Sequence, residues 1–303
     1  MPEATNQTAV AVTGSSGLIG SALVRVLSAD GHVVRRIVRR EPRSADEFRW
    51  DPGRHEIDDA ALDGVDAVIH LAGVGVADKR WSDAHKRAVL DSRVDGTTTI
   101  AEAVARRRDR VQVLLSASAV GYYGERGEQV LDESDLPGTG FLADVVQQWE
   151  ASTAPASEAG VRTVVMRSGV VLAAEGGALA KVLPLFKLGV GGKLGAGRQW
   201  MPWIALSDEL AAIRFLLAHD EISGPVNLVA PEPVRNRDYT AAIGRALHRP
   251  AIARVPRFGL RLAFGGFADE GALVSQRVVP QKLLDAGFEF TYADVDAALR
   301  AIL

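Results

Sequence analysis

The chain has 303 residues, of which 47% are hydrophobic and 24% charged, and its formal net charge is −3. This balance predicts a globular protein rather than a disordered one, and it gives no indication of a nucleic-acid partner. The sequence contains no cysteine, which excludes disulfides, thiolate metal sites and cysteine nucleophiles. The six histidines are scattered without a paired ligand motif, so we expect no metal site.

Signals for export or membrane insertion are not visible in the sequence. Residues 1–8 are polar and lack a basic-then-apolar leader pattern. No apolar run approaches the roughly 18–20 residues that a membrane span requires. We therefore expect a cytoplasmic protein without a membrane partner, and we leave a homo-oligomer open.

Apolar runs alternate with segments of helical periodicity along the chain. They predict strands at residues 8–12, 33–38, 66–71, 111–115, 161–166 and 226–229, and helices at 18–27, 82–107, 141–159 and 206–219. Continuously apolar strands that alternate with helices are typical of a parallel sheet covered on both faces. The sequence therefore predicts a doubly wound α/β fold, that is, a dinucleotide-binding Rossmann fold with right-handed crossovers.

The composition changes after about residue 168. Residues 188–198 are rich in glycine, and several prolines punctuate the chain that follows. We predict a nucleotide-binding core over residues 1–168. Residues 169–303 are predicted to form a mixed C-terminal part that returns at least one strand to the sheet and builds a smaller substrate lobe.

The junction of the first strand and first helix carries a G-x-x-G-x-x-G pattern within residues 13–20. The first glycine permits a tight turn, the second lets the backbone approach a pyrophosphate, and the third lets the helix pack closely on the sheet. Amide groups at a helix start also attract phosphate. The predicted cofactor-binding residues at this junction are Gly14, Ser16, Gly17, Leu18, Ile19 and Gly20.

The end of the second strand indicates which dinucleotide binds. Sites that prefer NAD usually place Asp or Glu there, to hold the ribose 2′-hydroxyl. This strand instead ends in Arg39 and Arg40, with no acid before Glu41. Guanidinium groups form charge-assisted hydrogen bonds with a 2′-phosphate, which a carboxylate would repel. NADP(H) is therefore the predicted cofactor.

Segments 13–20, 66–73 and 116–124 resemble the cofactor-side segments of extended short-chain dehydrogenases/reductases. More narrowly, the chain resembles an atypical branch labelled sugar-nucleotide epimerase or cell-division inhibitor, in segments 141–150, 191–199, 203–208 and 275–288. The resemblance spans nearly the whole length. It implies a small-molecule substrate, with Leu71, Ala72 and Gly73 lining the cofactor and residues 116–118 beside the nicotinamide.

The catalytic motif of that superfamily is missing. Its enzymes use Tyr-x-x-x-Lys for proton transfer, but the corresponding segment here begins with Phe141 and ends with Val145. Three interpretations stay open. Tyr122 or Tyr123 replaces the acid while Ser116 or Ser118 polarises the substrate; other groups support NADP(H)-dependent hydride transfer; or the chain binds NADP(H) without turnover, as a redox sensor does.

The most specific hypothesis places Tyr123 nearest the reactive nicotinamide carbon, with Tyr122 in its place if the turn points the other way. An unperturbed tyrosine has a pKa of about 10 and is a poor base at neutral pH. The positive charges of Lys86 and Arg93 would favour the phenolate. The predicted function is that of an NADP(H)-binding, epimerase- or dehydratase-like oxidoreductase of unknown substrate.

Overall fold

The structure is a computed structural model that describes residues 8–303. The N-terminal segment, in which we expect no leader signal, lies outside the described residues except for Thr8. The strands, in chain order, are β1 (Ala9–Thr13), β2 (Val33–Val38), β3 (Glu47–Asp51), β4 (Glu56–Ile57), β5 (Ala67–His70), β6 (Val113–Ala119), β7 (Val130–Leu131), β8 (Arg162–Ser168), β9 (Val170–Leu172), β10 (Gly192–Leu194), β11 (Trp200–Met201), β12 (Trp203–Ala205), β13 (Gly224–Leu228), β14 (Val234–Arg235), β15 (Ala253–Val255) and β16 (Arg277–Val278). The helices are α1 (Leu18–Ala29), α2 (Asp83–Arg106), α3 (Phe141–Ala151), α4 (Ala154–Glu158), α5 (Gly177–Lys187), α6 (Leu206–Ala218), α7 (Asn236–Ala246), α8 (Arg257–Phe264), α9 (Gln281–Asp285) and α10 (Val295–Ile302).

Eight strands form one sheet in the order β13-β8-β6-β5-β1-β2-β3-β4. All neighbours in it are parallel except β3 and β4, which are antiparallel. From β1 the chain first extends the sheet through β2 on one side and later through β5 on the other. A crevice forms at such a switch point, outside the carboxyl ends of the strands, and there α/β proteins bind ligands. The predicted doubly wound fold is confirmed.

Both faces of this sheet are covered, and the first strand shows why its sequence is continuously apolar. Val10 and Val12 pack in the core beside α1 and α6, whereas Ala11 packs in the core on the α2 face. Successive side chains of a strand point to opposite faces, so a strand buried on both sides has no polar alternation.

The predicted helix at 141–159 is wrong in one respect, because two helices occupy this stretch. Helix α3 ends at Ala151 and α4 begins at Ala154. Pro155 lies in the first turn of α4. Proline lacks an N–H and is tolerated at a helix start, but in a helix interior it removes a hydrogen bond and clashes with the preceding turn.

The C-terminal part builds its own core and also completes the sheet. Helices α5, α7 and α10 pack with β9 and β12 around Trp203. From the same part of the chain, β13 pairs with β8 at the edge of the sheet. The division of the chain at residue 168 stays a prediction. None of the helices formed by residues 8–303 is long and apolar enough to cross a membrane.

Candidate cofactor groove and adjoining cavity

The glycine turn lies tightly between the ends of β1 and β5. Gly14 has a φ of +65°, and a Cβ added there would stand 2.7 Å from the carbonyl carbon of Leu71. A Cβ on Gly20 would stand 2.2 Å from the carbonyl oxygen of Gly14. Only glycine fits at these positions; Gly14 precedes α1, which starts at Leu18, and Gly20 lies in the first turn of that helix. The turn therefore has the backbone shape that brings helix amides to a pyrophosphate.

A buried hydrogen-bond cluster holds the two strand ends together. The Thr13 hydroxyl accepts hydrogen bonds from the amides of Leu71 (3.0 Å) and Ala72 (3.2 Å). Its own proton therefore goes to Nδ1 of His70, 2.8 Å away. Burial lowers the pKa of His70 to about 4, so the imidazole stays neutral and acts as an acceptor there. Because His70 is fully buried, it stabilises the crevice and does not line it.

The crevice beside the glycine turn is a groove of 470 Å³, which we call the glycine-turn groove. The predicted cofactor residues that line it are Gly14, Ser16, Gly17, Arg39, Arg40, Leu71, Ala72 and Gly73. Leu18, Ile19 and Gly20 follow in α1 and do not line it. Gly20 instead allows the close helix contact that shapes the turn.

The two predicted phosphate-binding arginines differ in what they contact. Both terminal nitrogens of Arg40 donate to the carboxylate of Glu47, each at 2.6 Å. These bonds, the backbone N–H of Arg43 and the nearby charge of Arg36 lower the pKa of Glu47 to about 2. Arg39 is exposed, and within residues 8–303 it has no hydrogen-bond or ion-pair partner. Of the two predicted phosphate-binding guanidiniums, that of Arg40 is held by Glu47, whereas that of Arg39 is unengaged among the described residues.

The segment in place of the Tyr-x-x-x-Lys pair carries no titratable group at either key position. The ring of Phe141 packs edge-on against Trp81, with the ammonium of Lys86 4.8 Å from the Phe141 ring centroid. Val145 is buried in α3 and lines a second cavity, described below. Neither of these two side chains exchanges a proton.

The hypothesis that Tyr123 transfers the proton is corrected by its surroundings. Its side chain is fully buried, and its hydroxyl donates to Oδ1 of Asn227 (2.8 Å) and accepts from Nη1 of Arg167 (3.1 Å). Burial raises the pKa of Tyr123 to about 12. Tyr122 lies with its ring 3.5 Å from the guanidinium carbon of Arg167. Neither tyrosine lines the groove or the second cavity.

The proposed helpers of Tyr123 also lie elsewhere. Lys86 packs over the rings of Trp81 and Phe141, and the guanidinium of Arg93 lies 4.7 Å from the ring of Trp149. The cation that does contact Tyr123 is Arg167, which sequence reasoning missed. The signal that could have found it was an arginine that directly follows the apolar run at residues 164–166 of strand β8.

The two candidate serines are engaged in the core. The hydroxyl of Ser118 donates to Oε1 of Glu150 at 2.6 Å. Arg167 binds the same carboxylate through Nε and Nη2, both at 2.8 Å. Ser116 is fully buried, with a long 3.4 Å contact to the carbonyl of Ala117. The proton of Ser118 is thus already donated, and the structure does not support either serine as the group that polarises a carbonyl.

A second cavity of 330 Å³ adjoins the groove, and we call it the apolar cavity. The β6–α3 region forms one wall, and residues 199–202 and 267–276 of the C-terminal part form much of the rest. Among residues 8–303, the titratable side chains that line it are Arg93, Tyr239 and Glu270. Sequence reasoning missed the last two entirely, because they approach the sheet only through tertiary packing.

Glu270 is the carboxylate of this cavity that contacts the start of α3. Its Oε2 accepts a hydrogen bond from the backbone N–H of Leu142 at 3.0 Å. Leu142 directly follows Phe141, the residue predicted from the sequence to stand at the tyrosine position of the superfamily motif. The carboxylate is therefore held at the start of α3 from the opposite side of the cavity. The described residues contain no group of three His, Asp or Glu side chains arranged to hold a metal ion.

Comparisons with known proteins agree with this architecture. The sequence profile of the NAD dependent epimerase/dehydratase family matches residues 10–229, and that of a domain of unknown function matches residues 255–302. The chain is 49% identical over 290 residues to an epimerase family protein of Mycobacterium bovis, with 96% of each chain covered. It is 37% identical over 309 residues to the chloroplastic epimerase family protein SDR39U1 homolog of Arabidopsis thaliana, covering 98% of this chain and 87% of that one.

Among solved structures, the fold is similar to the crystal structure of the human epimerase family protein SDR39U1 (isoform 2) with NADPH. The TM-score is 0.89 at 30% sequence identity, and the match covers 97% of this chain and 99% of the human one. The predicted resemblance to extended short-chain dehydrogenases/reductases of the epimerase-like branch is confirmed. The chain belongs to the NAD dependent epimerase/dehydratase family.

Proposed function

We propose that this protein is an NADP(H)-dependent, epimerase- or dehydratase-like oxidoreductase whose small-molecule substrate binds in the apolar cavity. The observation that carries this proposal is the junction of the two sites. Val74 and Ser92 line the glycine-turn groove, whereas Val76 and Arg93, on the same two segments, line the apolar cavity. A molecule in the cavity would therefore lie beside the cofactor, as hydride transfer requires.

The residues of the groove fit NADP(H). The turn at Gly14 and Gly17 has the shape for a pyrophosphate, and Arg39 is a free cation for the 2′-phosphate. The human relative was crystallised with NADPH, which supports the same choice here. When bound, the cofactor supplies hydride donation or acceptance.

We assign the accompanying proton transfer to Glu270. Among residues 8–303 it is the one carboxylate that lines the apolar cavity, and its contact with the N–H of Leu142 holds it next to the start of α3. One carboxylate oxygen makes this contact, and the other has no hydrogen-bond partner within residues 8–303. A positioned carboxyl group typically contributes about 10²–10⁴-fold to such a reaction.

The test follows NADPH oxidation at the reduced-nicotinamide absorbance with a panel of aldehydes, ketones, 2-oxo acids and sugar nucleotides. We expect one class to be turned over, and we expect Glu270→Gln to lower kcat at least tenfold with unchanged NADPH affinity. Glu289→Gln, which changes an exposed carboxylate, is the matched control. Turnover that is unaffected by Glu270→Gln contradicts the role of this residue.

A second candidate is a catalytically silent NADP(H)-binding or redox-sensing protein. Phe141 and Val145 favour it, because neither side chain exchanges a proton. Absence of turnover across the whole panel, together with tight binding and a clear preference for either NADPH or NADP⁺, would favour this function over the enzyme.

A further inference from the structure

We propose that the apolar cavity selects a small, largely apolar carboxylate, and that Arg93 binds its carboxylate group. This inference rests on the proposed function, which makes the cavity the substrate site. It adds the chemical class of the substrate and the residue that recognises it.

Arg93 is a buried cation that has no counter-ion among the residues that the structure describes. Its side chain belongs to α2 and is only 9% exposed. Nη1 donates to the backbone carbonyls of Val74 (2.9 Å) and Val89 (3.1 Å). Nε and Nη2 have no hydrogen-bond partner within residues 8–303. Because the residue lines the apolar cavity, the unengaged side of the guanidinium is available to a molecule there.

A second buried arginine shows what Arg93 lacks. Arg167 is 3% exposed, and its Nε and Nη2 both bind the carboxylate of Glu150 at 2.8 Å. A buried charge is tolerated when it is paired, and removing one partner of such a pair is strongly destabilising. In Arg93 the corresponding two nitrogens are unpaired. A ligand carboxylate would supply the same bidentate partner from within the cavity.

The guanidinium is also held in position for this task. It stacks over the ring of Trp149, with its central carbon 4.7 Å from the ring centroid. A Cβ added to Gly73 would stand 3.7 Å from Nη1, so the group borders the cofactor-side segment as well. Burial lowers the pKa of Arg93 to about 10, and the group therefore remains a cation at neutral pH. An anion bound here would lie at the junction of groove and cavity.

The rest of the lining argues for a monoanion with an apolar body. The volume of 330 Å³ is at the lower end of the roughly 300–1,000 Å³ typical of small-molecule sites. Val120, Val145 and Val146 are among the many apolar residues of its wall. Arg93 is its single cationic residue among residues 8–303, and Glu270 adds a negative charge. A phosphate dianion or a nucleoside diphosphate would need more positive charge than this.

The experiment measures binding to NADP⁺-saturated protein by calorimetry. The probes are hexanoate, phenylacetate and phenylpyruvate, with phenylacetone as the neutral counterpart of the last. Phenyl phosphate and UDP-glucose test the other anion classes. We expect at least one carboxylate to bind, and phenylacetone to bind at least tenfold more weakly than phenylpyruvate. Arg93→Met should lower carboxylate affinity ten- to a hundredfold, since charge-assisted hydrogen bonds are lost.

The controls separate recognition from folding. Arg87→Met makes the same change on an exposed position of α2 and should leave binding unchanged. Arg93→Lys should retain part of the affinity, because it keeps the charge but loses the bidentate geometry. Thermal unfolding and the NADPH Kd of each variant report whether the groove is intact.

Three outcomes overturn the proposal: no carboxylate binds, Arg93→Met binds them as tightly as the parent, or its NADPH affinity falls by as much as its carboxylate affinity. Preferred binding of phenyl phosphate or UDP-glucose overturns the assigned class. If the acids bind through Arg93 but no carbonyl compound oxidises NADPH, the carboxylate site stands and the enzymatic function fails. If 2-oxo acids such as phenylpyruvate are reduced by NADPH equally well by the parent and Arg93→Met, the function stands and the carboxylate site fails.

Discussion

The glycine-turn groove and the apolar cavity are neighbours built in different ways. The groove depends on backbone contacts between the ends of adjacent strands, such as that of Gly14 against Leu71. The cavity depends on side chains brought together from distant parts of the chain, such as Arg93 and Glu270. The groove has the glycine turn of a dinucleotide-binding fold, whereas positions 141 and 145, beside and at the cavity, carry Phe and Val. The cofactor groove, which the backbone forms, is thus independent of the reactive side chains in the neighbouring cavity.

The largest expected effect comes from a substitution that obstructs the glycine-turn groove and leaves the apolar cavity unchanged. Gly14→Ala should reduce NADPH affinity at least a hundredfold, because the added Cβ meets backbone atoms at 2.7–2.9 Å. Gly64→Ala is the control, since Gly64 has a similar φ of +69° but no atom within 4 Å of the added Cβ. Both variants carry the left-handed strain, of roughly 1 kcal/mol, and only the first carries the clash. Calorimetric titration with NADPH checks this; similar affinities for the two variants would contradict it.

A smaller change separates the two arginines of the groove. Arg39→Ala should lower NADPH affinity ten- to a hundredfold, with little effect on NADH, because about 1.5–3 kcal/mol of charge-assisted bonding is lost. Arg40→Ala should mainly reduce the free energy of unfolding, since Glu47 loses its bidentate partner. Titration of both variants with both cofactors is the measurement. An equal loss of NADPH and NADH affinity in Arg39→Ala would remove the argument for NADP(H) specificity.

The buried hydroxyl of Tyr123 should contribute to stability and not to turnover. Tyr123→Phe should lower the free energy of unfolding by about 1–3 kcal/mol, because Asn227 and Arg167 lose a buried partner. Tyr122→Phe should be nearly neutral, since no hydrogen bond of that hydroxyl occurs within residues 8–303. Urea unfolding measures both. The folded Tyr123→Phe variant should oxidise NADPH at the same rate as the parent. Loss of this turnover would support a catalytic role for Tyr123.

The smallest expected effect is on the pH dependence of stability. The pKa of Glu47 is about 2 in the folded protein, against an ordinary value of 4.5. A carboxyl with a lowered folded-state pKa stabilises above its unfolded-state pKa, and this contribution disappears as the pH falls through the folded-state value. The parent should therefore lose stability between pH 4.5 and 2 more steeply than Glu47→Gln. Unfolding free energies down this range test it, with Glu56→Gln, on an exposed side chain, as control; equal slopes would contradict it.

Much of the fold was predictable because it rests on local patterns. The apolar runs predicted the central strands, and the glycine spacing predicted the turn, since both signals lie within a few adjacent residues. The short strands β3 and β4 were not predicted, and Glu47 lies on the first of them. For this reason the sequence did not distinguish Arg39 from Arg40. Their difference depends on a strand that propensity does not reveal.

The site was less predictable than the fold for a related physical reason. Tyr123 follows a strand that ends at the crevice. The sequence pattern therefore located its backbone near the crevice but did not indicate where its ring points. The ring turns into the core because Asn227 and Arg167, far along the chain, offer it two hydrogen bonds. Arg93 was predicted from the sequence as a charge that would favour a tyrosine phenolate, but its lack of a carboxylate partner among residues 8–303 is a property of the folded surroundings. Such facts depend on tertiary packing that no local pattern encodes.

The position of β13 has a consequence for the order in which the chain folds. Until residues 224–228 emerge from the ribosome, β8 is an edge strand with a row of unpaired N–H and C=O groups. Asn227 is also the acceptor for Tyr123, so a polar group buried in the first half awaits a partner from the second. The nascent sheet is therefore exposed to intermolecular strand pairing during synthesis, and fragments that end directly after β8 should aggregate rather than fold.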